Sequence, residues 1–142
     1  MNIGKMREKA EGGNIAAQAM LGVCYLEGIG VEVDYTQAVR WLSGPASQGV
    51  PRAADNLARM YAFGLGVEKN QGEALRLYDV AARGGEFLAQ IALARAFSRG
   101  EGVPSDSEIA RQWYTEALAQ EGSLADCDEE LKEAKKFLER AF

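Results

Sequence analysis

Residues 17–34 read AQAMLGVCYLEGIGVEVD, and the pattern returns at residues 53–70, AADNLARMYAFGLGVEKN, and at residues 89–106, AQIALARAFSRGEGVPSD. Each copy begins 36 residues after the one before it. The positions that keep their residue type include Leu21, Leu57 and Leu93; Gly28, Gly64 and Gly100; Gly30, Gly66 and Gly102; and Val31, Val67 and Val103. Matches at a fixed spacing indicate an internal repeat, and the fold must be built from that unit.

Each copy predicts a helix, a glycine turn and a second helix. Ala17, Leu21, Gly22 and Tyr25 follow one another at spacings of four, one and three residues, which places them on one stripe of a helix. We call this helix A and expect it near residues 15–28. The glycine that follows can adopt the left-handed conformation that ends a helix.

The second helix, helix B, is expected to begin at a capping pattern. In this pattern a short polar side chain accepts a hydrogen bond from the backbone N–H three residues later. The side chain of that later residue accepts one in return from the backbone N–H of the cap residue. The three candidate patterns are Asp34-x-x-Gln37, Asn70-x-x-Glu73 and Ser105-x-x-Glu108. In the first copy Pro45 lies late in helix B, and an interior proline costs about 3 kcal/mol. We therefore expect this helix to end early or to kink near Ser43.

The pattern resembles the Sel1-like repeat family, a relative of the tetratricopeptide repeats, whose unit runs roughly A-x3-LG-x2-Y-x2-G-x-GV-x2-D-x3-A-x2-WY-x2-AA-x2-G. The first copy matches it at Ala17, Leu21, Gly22, Tyr25, Gly28, Gly30, Val31, Asp34, Ala38, Trp41, Ala46 and Gly49. The resemblance covers about residues 13–122. It implies an all-α fold, a right-handed α/α solenoid of three helix-turn-helix repeats of about 36 residues with helical caps, in which stacked neighbours bury the apolar stripes.

We expect a single domain over residues 1–142. It divides into a cap helix at 1–12, repeats at 13–48, 49–84 and 85–122, and a capping helix at 123–142. In the first cap, Met6 and Ala10 keep step with Leu42 and Ala46 of the first helix B. The last helix carries acids early and bases late, which complements the helix dipole. Its apolar stripe is Leu124, Cys127, Leu131, Ala134 and Leu138.

Composition narrows the function classes. The chain is 47% hydrophobic with a net charge of −5, typical of an ordered protein and unfavourable for wholesale nucleic-acid binding. No stretch is apolar enough for membrane insertion or for a signal peptide. We expect a cytoplasmic protein, or a periplasmic or secreted one if a leader has been removed. Cys24 and Cys127 have no metal-ligand spacing and are expected to be free, buried or half-buried thiols, with a disulfide as the alternative.

The sequence gives no support for catalysis. It contains no histidine, which is the commonest general base and transition-metal ligand. Its glycine turns recur with the repeat and lack the GK[ST] ending of a phosphate-binding loop. We expect no catalytic residue, no metal site and no cofactor, and therefore no enzyme.

The resemblance also implies a binding surface, because related solenoids bind along a concave face lined by helix A. The positions carried over are Ala16, Ala19, Val23, Leu26 and Glu27; Arg52, Asp55, Arg59, Ala62 and Phe63; and Leu88, Ile91, Arg95, Ser98 and Arg99. Arginine forks bind carboxylates, so this set predicts a groove for an acidic or C-terminal carboxylate segment of a partner protein. The alternative is that the arginines are solvated or paired with Asp55, Glu27 and neighbouring acids.

The leading functional hypothesis is a protein-interaction adaptor, which in bacterial members of this family often serves host contact or the cell envelope. An immunity or inhibitor protein that neutralises one toxin or enzyme is the alternative. A small-molecule or glycan module is the weaker one, since Trp41 and Trp113 lie on the core stripe of helix B. We expect a monomer or a weak homodimer.

Overall fold

The structure is a computed structural model that describes residues 2–123 and 126–141. The described part is helical and contains no strand. Its elements are α1 (Ile3–Glu11), α2 (Ile15–Glu27), α3 (Tyr35–Ser47), α4 (Pro51–Phe63), α5 (Gln71–Arg83), α6 (Phe87–Arg99), α7 (Ser107–Leu118), a 3-10 turn (Glu121–Ser123) and α8 (Asp128–Ala141).

The helices stack in chain order. Helix A of each repeat (α2, α4, α6) packs on helix B of the same repeat (α3, α5, α7), and each helix B packs on the helix A that follows. Helix α1 takes the place of a helix B before the first repeat, and α8 takes the place of a helix A after the third. This arrangement confirms the α-solenoid of helix-turn-helix repeats.

Small residues allow the paired helices to approach closely. A Cβ added to Gly22 would lie 2.6 Å from the Cγ of Leu42, so the first repeat needs glycine where the others carry Ala58 and Ala94, both fully buried. The main core runs through the middle of the stack, from Ala38 and Leu42 to Leu93 and other residues of α6. Burying apolar side chains in this way is the main stabilising contribution to a repeat stack.

The turn after each helix A is built on glycine. Gly28, Gly64 and Gly100 have φ of 74°, 70° and 68°, the left-handed region that side-chained residues avoid. Gly66 has a second role, since an added Cβ would lie 2.5 Å from the carbonyl oxygen of Tyr35. The turn of the second repeat therefore lies directly against the start of helix B in the first.

The capping prediction is correct at two places and wrong at the third. Asp34 and Asn70 accept bonds from the N–H groups three residues later, but the third cap is Asp106 and not Ser105. Asp106 is the residue that lies 36 positions after Asn70. The predicted return bond is also replaced, because the backbone N–H of each cap residue donates to a carbonyl near the end of helix A. The acceptors are Tyr25, Tyr61 and Phe97, each at 2.9 Å.

Helix α3 continues past its proline to Ser47, so the first of the two predicted outcomes, an early end near Ser43, is wrong. Pro45 stands in the last turn, where one N–H bond is lost, and its ring is buried in the core. The Ser47 hydroxyl donates to the Gly44 carbonyl at 2.7 Å, and the N–H of Gln48 also donates to this carbonyl. The helix tolerates proline because only its final turn is affected.

The two end helices are held by apolar contacts to the stack. In α1, Ala10 is buried and Met6 is half-buried beside Leu21 of α2. In α8, Leu131 and Ala134 are buried against α6 and α7, with Cys127 and Leu138 half-buried beside them. Leu124, which was placed on the same stripe, lies outside the described residues.

Candidate functional site

An opening on the helix A side lies between α2 and α4. A groove of about 540 Å³ runs between the two helices, and a second hollow of about 310 Å³ continues it toward their C-terminal ends. We call the two together the helix A groove. Its lining residues are Ala16, Ala19, Met20, Val23, Leu26, Glu27, Leu42, Val50, Arg52, Ala53, Asn56, Arg59, Met60, Phe63 and Leu65.

The groove exists because one helix presents small residues to the other. Ala16 and Ala19 are on α2, and the core residues Leu42 and Ala53 lie at the bottom. The hollow and the groove share Glu27, Asn56 and Arg59, so they are continuous. A 13-residue helix is about 20 Å long, and a groove along two of them can hold a short peptide segment.

Large apolar side chains stand at the rim of this groove. Phe63 is 72% exposed and Met20 is 46% exposed. Of the six large hydrophobic residues that are exposed in the described part, these two line the groove. Clustered exposed apolar groups are typical of interaction surfaces.

The arginines of the second repeat differ in what they contact. Arg59 donates to the carboxylate of Asp55 at 3.1 Å and to the side-chain oxygen of Asn56 at 2.6 Å. Arg52 is exposed at the N-terminal end of α4, and within residues 2–123 and 126–141 it makes no ion pair. Arg52 is therefore the groove arginine that is available to a carboxylate from outside.

Asp55 is a buried acid at the base of this site. It is 5% exposed, and its Oδ1 has no hydrogen-bond partner among the described residues. Burial raises the pKa of Asp55 above its ordinary value, the charge of Arg59 opposes this rise, and Glu86 adds to it. Burial, and next the negative charge of Asp55, raise the pKa of Tyr78 to about 12. Asp55 is thus a structural group and lies beneath the surface that a partner could reach.

In the third repeat two residues of the predicted face, Arg95 and Ile91, contact α8. Arg95 binds Glu133 of α8 in bidentate fashion, with bonds of 2.7 to 3.0 Å, and the Tyr114 hydroxyl donates to the same carboxylate at 2.7 Å. Desolvation raises the pKa of Glu133, but the bonds from Arg95 and Tyr114 outweigh it and leave this pKa lowered. Ile91 is 1% exposed and packs in the cluster beneath α8.

The predicted site residues therefore divide into two groups. Val23, Leu26, Arg52, Arg59 and Phe63 come together in the helix A groove. The others are in different surroundings: Asp55 and Ile91 are buried, Arg95 is bound by α8, Leu88 is exposed on the third repeat, and Arg99 lies 3.9 Å from Glu101. The alternative of paired arginines fits Arg59 and Arg95.

Several groove residues were not predicted from the sequence, and two of them share one helix position. Met20 and Asn56 are the sixth residues of α2 and α4, and both line the groove. The signal was present, because residues 16, 20, 23 and 27 follow the spacing of one helix stripe. Carrying positions over from a related repeat shifted the stripe and passed over this position.

The remaining chemistry of the described residues is limited. Cys24 is a buried thiol and Cys127 is a half-buried one, and neither forms a disulfide. Burial, and next the charge of Glu27, raise the pKa of Cys24, which disfavours the reactive thiolate. No cluster of three or more potential metal ligands occurs among the described residues. None of their helices has the length and apolar character needed to cross a membrane.

The fold and the groove define a helical-repeat protein with a peptide-sized surface on helix A. The Sel1 repeat family model matches residues 15–43, 51–86 and 88–122, and the chain belongs to this family. Proteins with Sel1 repeats generally mediate protein–protein interactions, and the family is typically a non-enzymatic scaffold.

Two solved structures are similar along most of the chain. The Sel1 repeat protein from Oxalobacter formigenes is 35% identical, with a TM-score of 0.79 and coverage of 93% of this chain and 96% of that one. The second is c5321, a protective antigen of uropathogenic Escherichia coli strains with an SLR fold, at 38% identity and a TM-score of 0.77. That match covers 81% of this chain, which spans only 25% of the antigen's chain. No curated protein sequence matches.

Proposed function

We propose that the protein is a non-enzymatic adaptor that binds a segment of a partner polypeptide in the helix A groove. The observation that carries this proposal is the continuous groove between α2 and α4, with Phe63 and Met20 exposed at its rim. Covering exposed apolar surface contributes about 25 cal/mol per Å², and aromatic residues commonly dominate such interfaces.

The charges of the groove favour a segment with a carboxylate near one end. Arg59 is already bound to Asp55 and Asn56, whereas Arg52 has no such partner in the described chain. Glu27 places one negative charge at the other end of the groove. A segment with apolar side chains, whose acidic or C-terminal carboxylate faces Arg52, complements this arrangement.

Site-specific photo-crosslinking tests the location of the interface. A benzoylphenylalanine at position 63 should crosslink to a partner in cells that produce the protein, and one at position 76 on α5 should not. The change Arg52→Glu should reduce crosslinking at position 63 at least ten-fold. Arg76→Glu is the matched control, because Arg76 is an exposed arginine outside the groove.

The outcome also separates the candidate functions. Equal crosslinking at positions 63 and 76, or crosslinking at 63 that survives Arg52→Glu, would contradict the proposed site. If the crosslinked partner is a toxin or an enzyme that the protein inhibits, the immunity or inhibitor hypothesis replaces the adaptor. The same groove would serve either role.

A further inference from the structure

A second groove lies between α5 and α7 and shares no residue with the helix A groove. It has a volume of about 750 Å³. Phe97, Ile109 and Trp113 give it an apolar side, and all three are half-buried. We call it the helix B groove.

The acidic groups of this groove outnumber its basic one. Asp79 and Glu116 line it together with Arg83, whose Nε donates to Asp79 at 2.8 Å. The three side chains leave one net negative charge beside the Trp113 ring. An indole face with carboxylates at its edge attracts a cation, because the ring's negative face and the carboxylates act in the same direction.

In the first repeat an arginine of the chain itself lies over the matching tryptophan. Trp41 lies two repeat lengths before Trp113, and the guanidinium of Arg40 stands 5.1 Å from the centroid of the Trp41 ring. At the matching position of the third repeat the residue before the tryptophan is Gln112, which is exposed and lines the groove. The third repeat keeps the aromatic ring, and a neutral residue stands where the first repeat has Arg40.

We propose that the helix B groove binds an arginine or lysine side chain of a basic segment from a partner polypeptide. The cation takes the place over Trp113 that Arg40 occupies over Trp41, and its N–H groups donate to Glu116 and Asp79. This surface selects a basic segment, whereas the helix A groove selects a carboxylate. It does not depend on the function proposed for that groove.

The two indole N–H signals of the protein provide the test, because the chain has only two tryptophans. The probe is the peptide acetyl-Gly-Arg-Gly-Arg-Gly-amide, compared with the same peptide carrying neutral citrulline in place of arginine. We expect the Trp113 signal to shift saturably with the arginine peptide, the Trp41 signal to stay in place, and citrulline to bind at least ten-fold more weakly. Trp41→Phe assigns the two signals.

Three variants sharpen the test. Gln112→Arg copies the arrangement of the first repeat and should abolish the shift by filling the site with the chain's own cation. Glu116→Gln should weaken binding several-fold, while Glu108→Gln removes an equal charge from α7 outside the groove and should not. Equal binding of the citrulline peptide, equal loss in Glu116→Gln and Glu108→Gln, or no saturable shift of Trp113 would overturn the proposal.

Discussion

The second and third repeats place the same two side chains in the same positions and give them different partners. Arg59 and Arg95 are 36 residues apart, as are Tyr78 and Tyr114. In the third repeat, Glu133 of the following helix binds both the arginine and the tyrosine. In the second repeat Arg59 donates instead to Asp55, which lies one helical turn earlier on the same helix.

Two positions differ between the repeats. Asp55, on the same helix as Arg59, is replaced by Ile91 in the third repeat, and one position of the neighbouring helix also differs. The sixth residue of α8 is Glu133, whereas the sixth residue of α6 is Ala92. The carboxylate from α8 has a lowered pKa, so its charge stabilises the fold. Asp55 has a raised pKa, so its negative charge destabilises the fold. The repeat therefore specifies the arginine and the tyrosine, whereas the carboxylate comes from the same helix in the second repeat and from the next helix in the third.

The largest effect is expected from Glu133→Gln, which breaks the link between α8 and the third repeat. Glutamine keeps one acceptor oxygen but loses the negative charge and the second oxygen, so Arg95 and Tyr114 no longer share a carboxylate, at a cost of about 2 kcal/mol in the free energy of unfolding. Denaturant unfolding at neutral pH measures this cost, and hydrogen exchange should show faster opening of α8. The control is Glu129→Gln, on an exposed pair with Lys132, where the expected change is about 0.5 kcal/mol or less.

The pH dependence of this link follows from the lowered pKa of Glu133. Its stabilisation is complete above the ordinary glutamate pKa and is lost as the pH falls through the lowered value. The stability difference between the wild type and Glu133→Gln should therefore shrink in acid. A difference that stays constant from neutral to acidic pH would show that the charge of Glu133 is not what holds α8.

Asp55→Asn should change the free energy of unfolding in the opposite direction from Glu133→Gln, and by a smaller amount. The amide keeps an oxygen for Arg59 and removes a buried charge, so the free energy of unfolding should rise by about 1 kcal/mol at neutral pH. Because the pKa of Asp55 is raised in the fold, its charge is a cost that disappears as the pH falls through that value. The gain from Asp55→Asn, measured by denaturant unfolding, should therefore vanish in acid. A loss of stability at neutral pH would mean that the pair with Arg59 outweighs desolvation.

The contrast between the repeats also shows which features the sequence could reveal. Helix A, its glycine cap and helix B depend on residues within a few positions of one another, and they were predictable. The cap at Asp106 was accessible as well, by strict counting of the period from Asn70. The partner of Arg95 was not, because Glu133 lies 38 positions further along, in a helix outside the repeat pattern.

The groove was predictable only in part, for a related reason. Arg52 and Phe63 were found because the resemblance to related repeats carried their positions over onto helix A. Burial of Ile91 and binding of Arg95 depend on where α8 packs, which no property of those residues indicates. The packing of α8 removes Ile91 and Arg95 from the predicted face, and the proposed site, the helix A groove, lies on the first two repeats.

The smallest and most specific effect is expected from moving the third repeat's carboxylate into the second. In an Asp55→Asn background, Ala92→Glu places a carboxylate at the sixth residue of α6, the position from which Glu133 reaches Arg95 and Tyr114 in α8. It should bind Arg59 and Tyr78 and raise the free energy of unfolding by about 0.5 kcal/mol over the background. Ala92→Gln is the neutral control, and adding Arg59→Gln should cancel the gain. A gain that persists without Arg59 would mean that helix propensity, and not the transferred contact, is responsible.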